Sequence, residues 1–314
     1  MIITVTLNPS IDRAIRVEDL RLGGVNRAEI IALDAGGKGV NVSRALAVYG
    51  ADTHAIMIGA ALGSAWFNDV LTDAGVPHTM VMAEGVTRSN ITLVEADGTV
   101  TKINEPGVTL NEGLIHDVEH AMDALALQGA WVVLAGRLNP GAADDTYLRL
   151  ARFAKERGAH VAVDVSGAPL DVALEAGTVD LIKPNQHELG EIVGRELATV
   201  GDVIAAAREV IARGVQTVVC SLGRDGALYI TADEVQHAEC TEVIQGTPVG
   251  AGDILLATFI GGGAHADALV DAVRWSAASV KLPGTAIPTP DQAAAIPVTR
   301  HAEPVLTRQL IEVS

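Results

Sequence analysis

Trp131-Val132-Val133-Leu134-Ala135, then a helical pattern over Ala143–Arg157, then His160-Val161-Ala162-Val163-Asp164-Val165: this stretch decides the fold class. Both outer runs are almost continuously apolar, as in strands covered on both faces, and a helix-length segment separates them. Strands joined through a crossover helix run parallel. Working outward, Ile2–Leu7, Ala55–Gly59, Val179–Ile182 and Val215–Ser221 read as further buried strands. Asn41–Tyr49, Asn111–Ala126, Gly201–Arg213 and Ala266–Lys281 read as helices, the second with Leu114, Val118, Met122 and Leu125 in one stripe. The rhythm predicts an α/β fold with a doubly wound, mainly parallel sheet.

Two regions break the rhythm. Ala14–Leu20 and Ala28–Asp34 flank Gly23-Gly24, while Ser89–Glu95 and Thr99–Glu105 flank the turn dipeptide Asp97-Gly98. Four such short strands cannot fold alone. They are expected, within 14–34 and 88–106, to form a small projecting sheet inserted in one domain spanning 1–314, a lid or a contact between two copies. Pro283–Pro290 reads as a loop.

The chain has 314 residues, 49% hydrophobic, with a net charge of −17 and only three each of Phe, Trp and Tyr. That balance argues against nucleic acid, which calls for a basic face and stacking aromatics, and against anionic membranes. No run reaches the roughly 18 apolar residues of a membrane span; Met122–Ala135 is interrupted by Asp123, Gln128 and Gly129. Met1–Val5 lacks a basic start and reads as a strand, and the two cysteines, Cys220 and Cys240, are far apart. A cytoplasmic protein is the expectation.

The chemistry concentrates in glycine-rich segments. Thr247-Pro248-Val249-Gly250-Ala251-Gly252-Asp253 precedes the apolar helical run Ile254–Ile260. Gly-Ala-Gly before a helix leaves backbone N–H groups free to surround an anion, and the helix dipole adds positive character. Asp253 is within reach of such a site, or it simply caps the helix. Asp34-Ala35-Gly36-Gly37-Lys38-Gly39-Val40-Asn41 allows close backbone approach to a polar ligand, or forms a glycine-rich turn with an exposed lysine. Lys183-Pro184-Asn185-Gln186-His187-Glu188 ends a strand, where ligands of parallel sheets bind. Asn185 and Glu188 suit a hydrated Mg²⁺ or a capping box, and both can hold at once. Ser221-Leu222-Gly223-Arg224-Asp225-Gly226 also follows a strand. His116-Asp117-Val118-Glu119-His120 matches an inverted zinc-protease string, but its histidines lie away from the Leu114 stripe and read as a solvated face.

In this order and spacing the segments resemble the PfkB (ribokinase-like) carbohydrate kinase family along nearly the whole chain. Gly36-Gly37-Lys38-Gly39-x-Asn41-Val42 resembles its N-terminal signature, Val249-Gly250-Ala251-Gly252-Asp253 its C-terminal one, and Asn185-x-x-Glu188 its metal-associated motif. Thr6–Asp12, Gly136-x-Leu138-x-Pro140-Gly141 and Pro283-Gly284-Thr285 resemble its hexose-phosphate branch. The resemblance implies a ribokinase-like α/β/α fold and an ATP- and Mg²⁺-dependent kinase. It assigns Asp253 as catalytic base and Gly250, Ala251 and Gly252 as an anion hole. Asp12, Gly37, Lys38, Asn41, Arg88, Asn90 and Arg137 would bind the acceptor. Lys183, Asn185, Ser221, Gly223 and Gly226 would line the ATP site, and Glu188 would orient Mg²⁺.

The acceptor it implies is fructose 1-phosphate, phosphorylated to fructose 1,6-bisphosphate. A sugar phosphate entering so acidic a chain needs local cations, with Arg27 and Lys102 further candidates. Alternatives are tagatose 6-phosphate or fructose 6-phosphate, then an unphosphorylated sugar or nucleoside, then a non-catalytic sugar-phosphate sensor. A nicotinamide oxidoreductase is disfavoured, since the first strand ends in Asn8-Pro9 without a glycine fingerprint. A homodimer through the lid sheet is expected, because short strands leave edges to cover. Departures from the family pattern are Arg137 in place of Ser, Asn139 in place of Pro, and Ile254, Trp275 and Lys281 in place of smaller residues.

Overall fold

The computed structural model describes residues 1–301 and 303–311. In chain order the elements are β1 (Ile2–Thr6), β2 (Ser10–Arg16), β3 (Glu29–Gly36), α1 (Lys38–Tyr49), β4 (Thr53–Leu62), α2 (Ser64–Asp73), β5 (His78–Val86), β6 (Ser89–Val94), β7 (Val100–Asn104), α3 (Glu112–Asp123), β8 (Trp131–Ala135) and α4 (Thr146–Glu156). They continue with β9 (His160–Asp164), α5 (Ala168–Glu175), β10 (Leu181–Ile182), α6 (Gln186–Val193), α7 (Val200–Ala212), β11 (Thr217–Ser221), β12 (Ala227–Ile230), β13 (Val235–Cys240), α8 (Ala251–Gly261), α9 (Ala268–Val280), α10 (Pro290–Ala294) and β14 (Val298–His301).

The large sheet has the order β14-β13-β12-β11-β10-β9-β8-β1-β4-β5. From β5 to β11 every pairing is parallel, and β12, β13 and β14 add an antiparallel edge. The chain leaves β1 toward β4 on one side and later fills β8 to β11 on the other, so the order reverses between β1 and β8. In such sheets ligands bind outside the carboxyl ends at that reversal.

Alternation along each strand feeds two cores. Ile3, Val5 and Leu7 of β1 and its extension, with Val132 and Leu134 of β8, face α3, α4 and α7. Ile2, Val133 and Ala135 face α1, α8 and α9. Helix α8 is buried from Asp253 through Ile260, which explains why its sequence is apolar all round. Trp275 lies in this second core, edge-on to Tyr49 at 5.3 Å, so its size is a packing matter between α9 and α1.

The small sheet has the order β3-β2-β6-β7. Its first strand begins at Ser10, four residues before the expected Ala14, because Ile11 and Asp12 already pair with Ser89 and Asn90 of β6. β5 was not legible as a strand: His78, Thr79 and Glu84 dilute its apolar content, as an edge position allows. No helix among the described residues is long and apolar enough to cross a membrane.

Candidate active site

The carboxyl ends of β1, β8, β9 and β10 surround one buried charge cluster. Asp253, in the first turn of α8, is 7% exposed, and its Oδ2 accepts a hydrogen bond from Asn41 Nδ2 of α1 at 2.8 Å. Burial first, and then the neighbouring Asp164 carboxylate, push its carboxyl up to about 6, despite the Asn41 bond and the opposing charges of Lys38 and Lys183. An acid group poised there is ionised at neutral pH yet basic enough to accept a proton. Asn41 Oδ1 is buried with no partner, an acceptor waiting for a donor such as a hydroxyl.

Asp164, at the end of β9, was singled out by no motif. Its Oδ1 accepts from Lys38 Nζ at 2.7 Å, and Lys183 Nζ stands 3.5 Å from its Oδ2. Burial would raise this carboxyl, but Lys183 and Lys38 outweigh it and hold it below the usual range. The same pairing carries Lys38 above its ordinary value against the effect of burial. Lys38 is therefore part of the charge cluster, with Asp164 as partner, rather than an exposed turn lysine. The signal in the sequence was positional: a carboxylate closing a parallel strand beside the reversal.

The start of α8 is open. Gly250 caps it in the left-handed region, and the local backbone bonds run from Ala251 to Pro248 and from Ile254 to Gly250. The N–H groups of Gly252 and Asp253 are left to an incoming anion, with Lys183 close by: a side chain on Gly252 would come within 3.1 Å of Lys183 Nζ.

Toward the small sheet, Asp12 accepts from Ser10 Oγ at 2.7 Å and Asn90 Nδ2 at 2.9 Å. Burial raises its carboxyl above the usual range. Gly36, rather than Gly37, touches this carboxylate; any side chain on Gly36 would collide with it. Arg88 sits at the root of the small sheet between β5 and β6, with Nε donating to the carbonyls of Asn8 (3.2 Å) and Pro9 (3.3 Å). Burial lowers its pKa, the nearby Asp12 carboxylate opposes this, and the Arg137 charge adds to the lowering. Arg137 is exposed on the loop after β8, and no ion pair to it occurs among the described residues. Asn139 is buried and donates to the Val108 carbonyl at 3.1 Å.

On the other side of the cluster, Asn185 and Glu188 form a capping box at the start of α6, each side chain bonded to the other's N–H at 2.8 Å. One Glu188 oxygen remains, and its charge reaches Lys38. Among the described residues no group of three or more His, Cys, Asp or Glu could cage a metal. A lone carboxylate fits an ion held mainly by water and phosphate oxygens, the habit of Mg²⁺. Ser221 ends β11 next to Asn185 through an isolated parallel bridge. Gly223 opens the following 3₁₀ turn. Gly226 closes it with φ 84° against β13, where a side chain would strike the Ala238 carbonyl, so its place is set by packing. Glu119 of the zinc-like string is instead gripped by Arg149 of α4 at 2.7 Å. A surface groove of about 650 Å³ between α6 and the C-terminal segment is lined by none of Lys38, Asp164, Lys183 and Asp253; chemistry rather than volume locates the site.

A candidate proton acceptor, an open helix N-terminus, a buried Lys183 and a half-buried Lys38 together suit transfer of an anionic group to a hydroxyl. Comparison with known proteins agrees. The model of the pfkB family carbohydrate kinases matches residues 5–292. The 1-phosphofructokinase of Xanthomonas campestris is 39% identical over 259 residues, 81% of each chain. The ATP-dependent 6-phosphofructokinase isozyme 2 of Escherichia coli is 35% identical over 257 residues, 81% of this chain and 83% of that one. The crystal structure of phosphofructokinase-2 from Escherichia coli in complex with fructose-6-phosphate superposes with a TM-score of 0.84 at 32% identity, covering 94% of this chain and 97% of that chain.

Proposed function

This chain belongs to the pfkB family of carbohydrate kinases, and from that premise we propose that it transfers the γ-phosphoryl group of ATP to the 6-hydroxyl of fructose 1-phosphate. The observation that carries the transfer is Asp253 beside the open N–H groups of Gly252 and its own backbone. The acceptor hydroxyl gives its proton to Asp253 while its oxygen bonds to the γ-phosphorus. The bond to the bridging oxygen breaks, and ADP leaves with that oxygen. Asn41 fixes the Asp253 carboxylate through Nδ2 and offers Oδ1 to a sugar hydroxyl. The α8 N-terminus, with Lys183, stabilises charge on the transferring group. Glu188 would hold Mg²⁺ through water, and the ion would neutralise phosphate charge.

The choice of a phosphorylated acceptor rests on Arg88, which lies against Asn90 and within reach of the Asp12 charge, and on Arg137, whose charge reaches Arg88 and which has no ion pair among the described residues. Asp12 and Asn90 would hold sugar hydroxyls, and Ser221 and Gly223 would line the nucleotide. Fructose 1-phosphate is favoured over fructose 6-phosphate because the X. campestris relative is named for the former. Fructose 6-phosphate or tagatose 6-phosphate is the second reading, since the same arginine pair could grip either phosphate. An unphosphorylated sugar would leave both arginines idle, and a sensor would have no use for Asp253. Leu33 and Ile103 stand exposed in one row across the small sheet, with Arg13 and Ile91 between them, and support a homodimer through that face. A coupled ADP-release assay across fructose 1-phosphate, fructose 6-phosphate, tagatose 6-phosphate, fructose and ribose tests the reading. The highest kcat/KM is expected on fructose 1-phosphate; a higher value on fructose or ribose overturns it.

A further inference from the structure

The turn Gly223–Gly226 is held from outside by the C-terminal segment. Asp225, in the middle of the turn, is 1% exposed. Its Oδ1 accepts from Arg308 Nη2 at 2.7 Å and its Oδ2 from the Ile311 N–H at 2.9 Å. Arg308 also grips Glu239 of β13 in a fork, Nη1 to Oε1 at 2.8 Å and Nη2 to Oε2 at 2.6 Å. His301 meets the same Glu239 Oε1 at 2.8 Å, and His237 Nε2 lies 2.7 Å from the Asp225 carbonyl oxygen. The segment that delivers Arg308 is itself fixed. The Gly201 N–H donates to the Leu306 carbonyl, the Val200 N–H to the Arg308 carbonyl and the Leu310 N–H to the Ala198 carbonyl.

Within the turn, the backbone bonds are few: Leu222 N–H to the Gly226 carbonyl, Asp225 N–H to the Leu222 carbonyl and Gly226 N–H to the Gly223 carbonyl. The turn closes the β11–β12 hairpin where Ser221 pairs with Ala227, and its buried Asp225 side chain is the anchor that ties it to groups outside that hairpin. A buried carboxylate is stable in one place only while its cation stays there, because losing the cation strands the charge. A guanidinium fork fixes direction as well as distance.

We propose that Arg308 is a positioning residue for nucleotide binding. It holds Asp225, and through it the Gly223–Gly226 turn, in the orientation that receives ATP, without touching the nucleotide. This rests on the reading above that the turn and Ser221 line the ATP site.

The test is steady-state kinetics of Arg308→Ala with both substrates varied. KM for ATP is expected to rise tenfold or more, while KM for the sugar phosphate stays within about twofold and the far-ultraviolet circular dichroism is kept. Arg308→Lys, which keeps the charge but loses the fork, should recover part of the ATP affinity. If Arg308→Ala does not fold, Asp225→Asn carries the same expectation with a smaller change in shape. Parallel loss in both KM values, or a lower melting temperature with both KM values unchanged, overturns the proposal. Ser221→Val, assayed alongside, separates the two claims. If it raises KM for ATP and Arg308→Ala does not, the positioning role fails and the ATP-site assignment stands. If neither variant moves KM for ATP, the assignment fails and takes the proposal with it.

Discussion

Asp164→Asn is the most informative single change, because it acts on the proton acceptor without touching it. The wild-type limb comes first. With the Asp253 carboxyl at about 6, the ionised fraction is about nine-tenths at pH 7 and about one-tenth at pH 5. The kcat/KM should therefore fall roughly tenfold over that interval. Asp164→Asn removes a like charge that raises Asp253, and it frees Lys38 and Lys183 to turn toward Asp253. Both effects have the same sign: they favour the ionised carboxylate and lower its pKa. A shift of about one unit or more is the usual size for a neighbouring charge at this range.

The acid limb of kcat/KM, followed by coupled ADP release between pH 5 and 8.5, should thus move down by at least that much. Activity at pH 7.5 should drop as well, since a weaker base and misplaced lysines serve the transition state less well. Breaking a buried ion pair from one side typically costs about 3–5 kcal/mol, so the variant should also melt earlier. A limb that stays put or moves upward refutes the electrostatic account of the cluster.

Asp253→Asn should lower kcat by about 10²–10⁴, the usual contribution of a positioned base, with smaller effects on substrate binding; near-normal turnover in the same assay would return Asp253 to a mere helix-capping role. The same variant should be more stable than the wild type at pH 8. A carboxyl raised to about 6 favours the fold while protonated and loses that support as pH rises through 6, on the order of 3 kcal/mol; the gap in denaturant melts should close below about pH 4. Glu188→Gln should raise the Mg²⁺ concentration needed for half-maximal activity, with recovery at excess metal, and an unchanged Mg²⁺ titration would leave Glu188 as the capping partner of Asn185 alone. Arg137→Ala should weaken kcat/KM on the sugar phosphate by about 2–4 kcal/mol while sparing free fructose. Arg88→Ala should show that loss plus a lower melting temperature, because Arg88 also ties the Asn8 and Pro9 carbonyls; equal losses on both sugars would remove the phosphate-gripping role.

The parallel sheet was legible because its central strands are nearly pure Val, Ile, Leu and Ala, a composition that only double coverage explains. The antiparallel edge was not: β12, Ala227–Ile230, is only four residues long, and β13 and β14 mix Gln, His, Glu and Arg with their apolar positions. The glycine segments around Lys38 and Asp253 were readable because each is a local device, a helix start with its side chains cut away. Asp164 was not, since its meaning comes from Lys38 and Lys183, residues brought to it by two other elements. Arg88 was legible only as adjacent to a strand of the small sheet, since nothing in the sequence marks which end of that strand meets the large sheet. Arg308 and Asp225 lie 83 positions apart, and no local pattern announces such a pair.

The small sheet meets the large one at a single end. The chain crosses between them at Leu7–Ser10, Gly36–Lys38, Val86–Ser89 and after Asn104, and all four crossings lie beside Asp12 and Asn90. For a plate pivoting along one border, displacement grows with distance from that border. At about 3.3 Å per residue, Asp12 stands roughly 7 Å from Ser10 and Arg16 roughly 20 Å, so a tilt of about 10° would move the first by about 1 Å and the second by about 3–4 Å. Leu22 and Val25, beyond the strand ends, would sweep further still. Under the proposed function, such a tilt would separate two tasks along one sheet: the border would keep the carboxylate and amide offered to the sugar nearly still, and the rim would supply the travel that shuts out water.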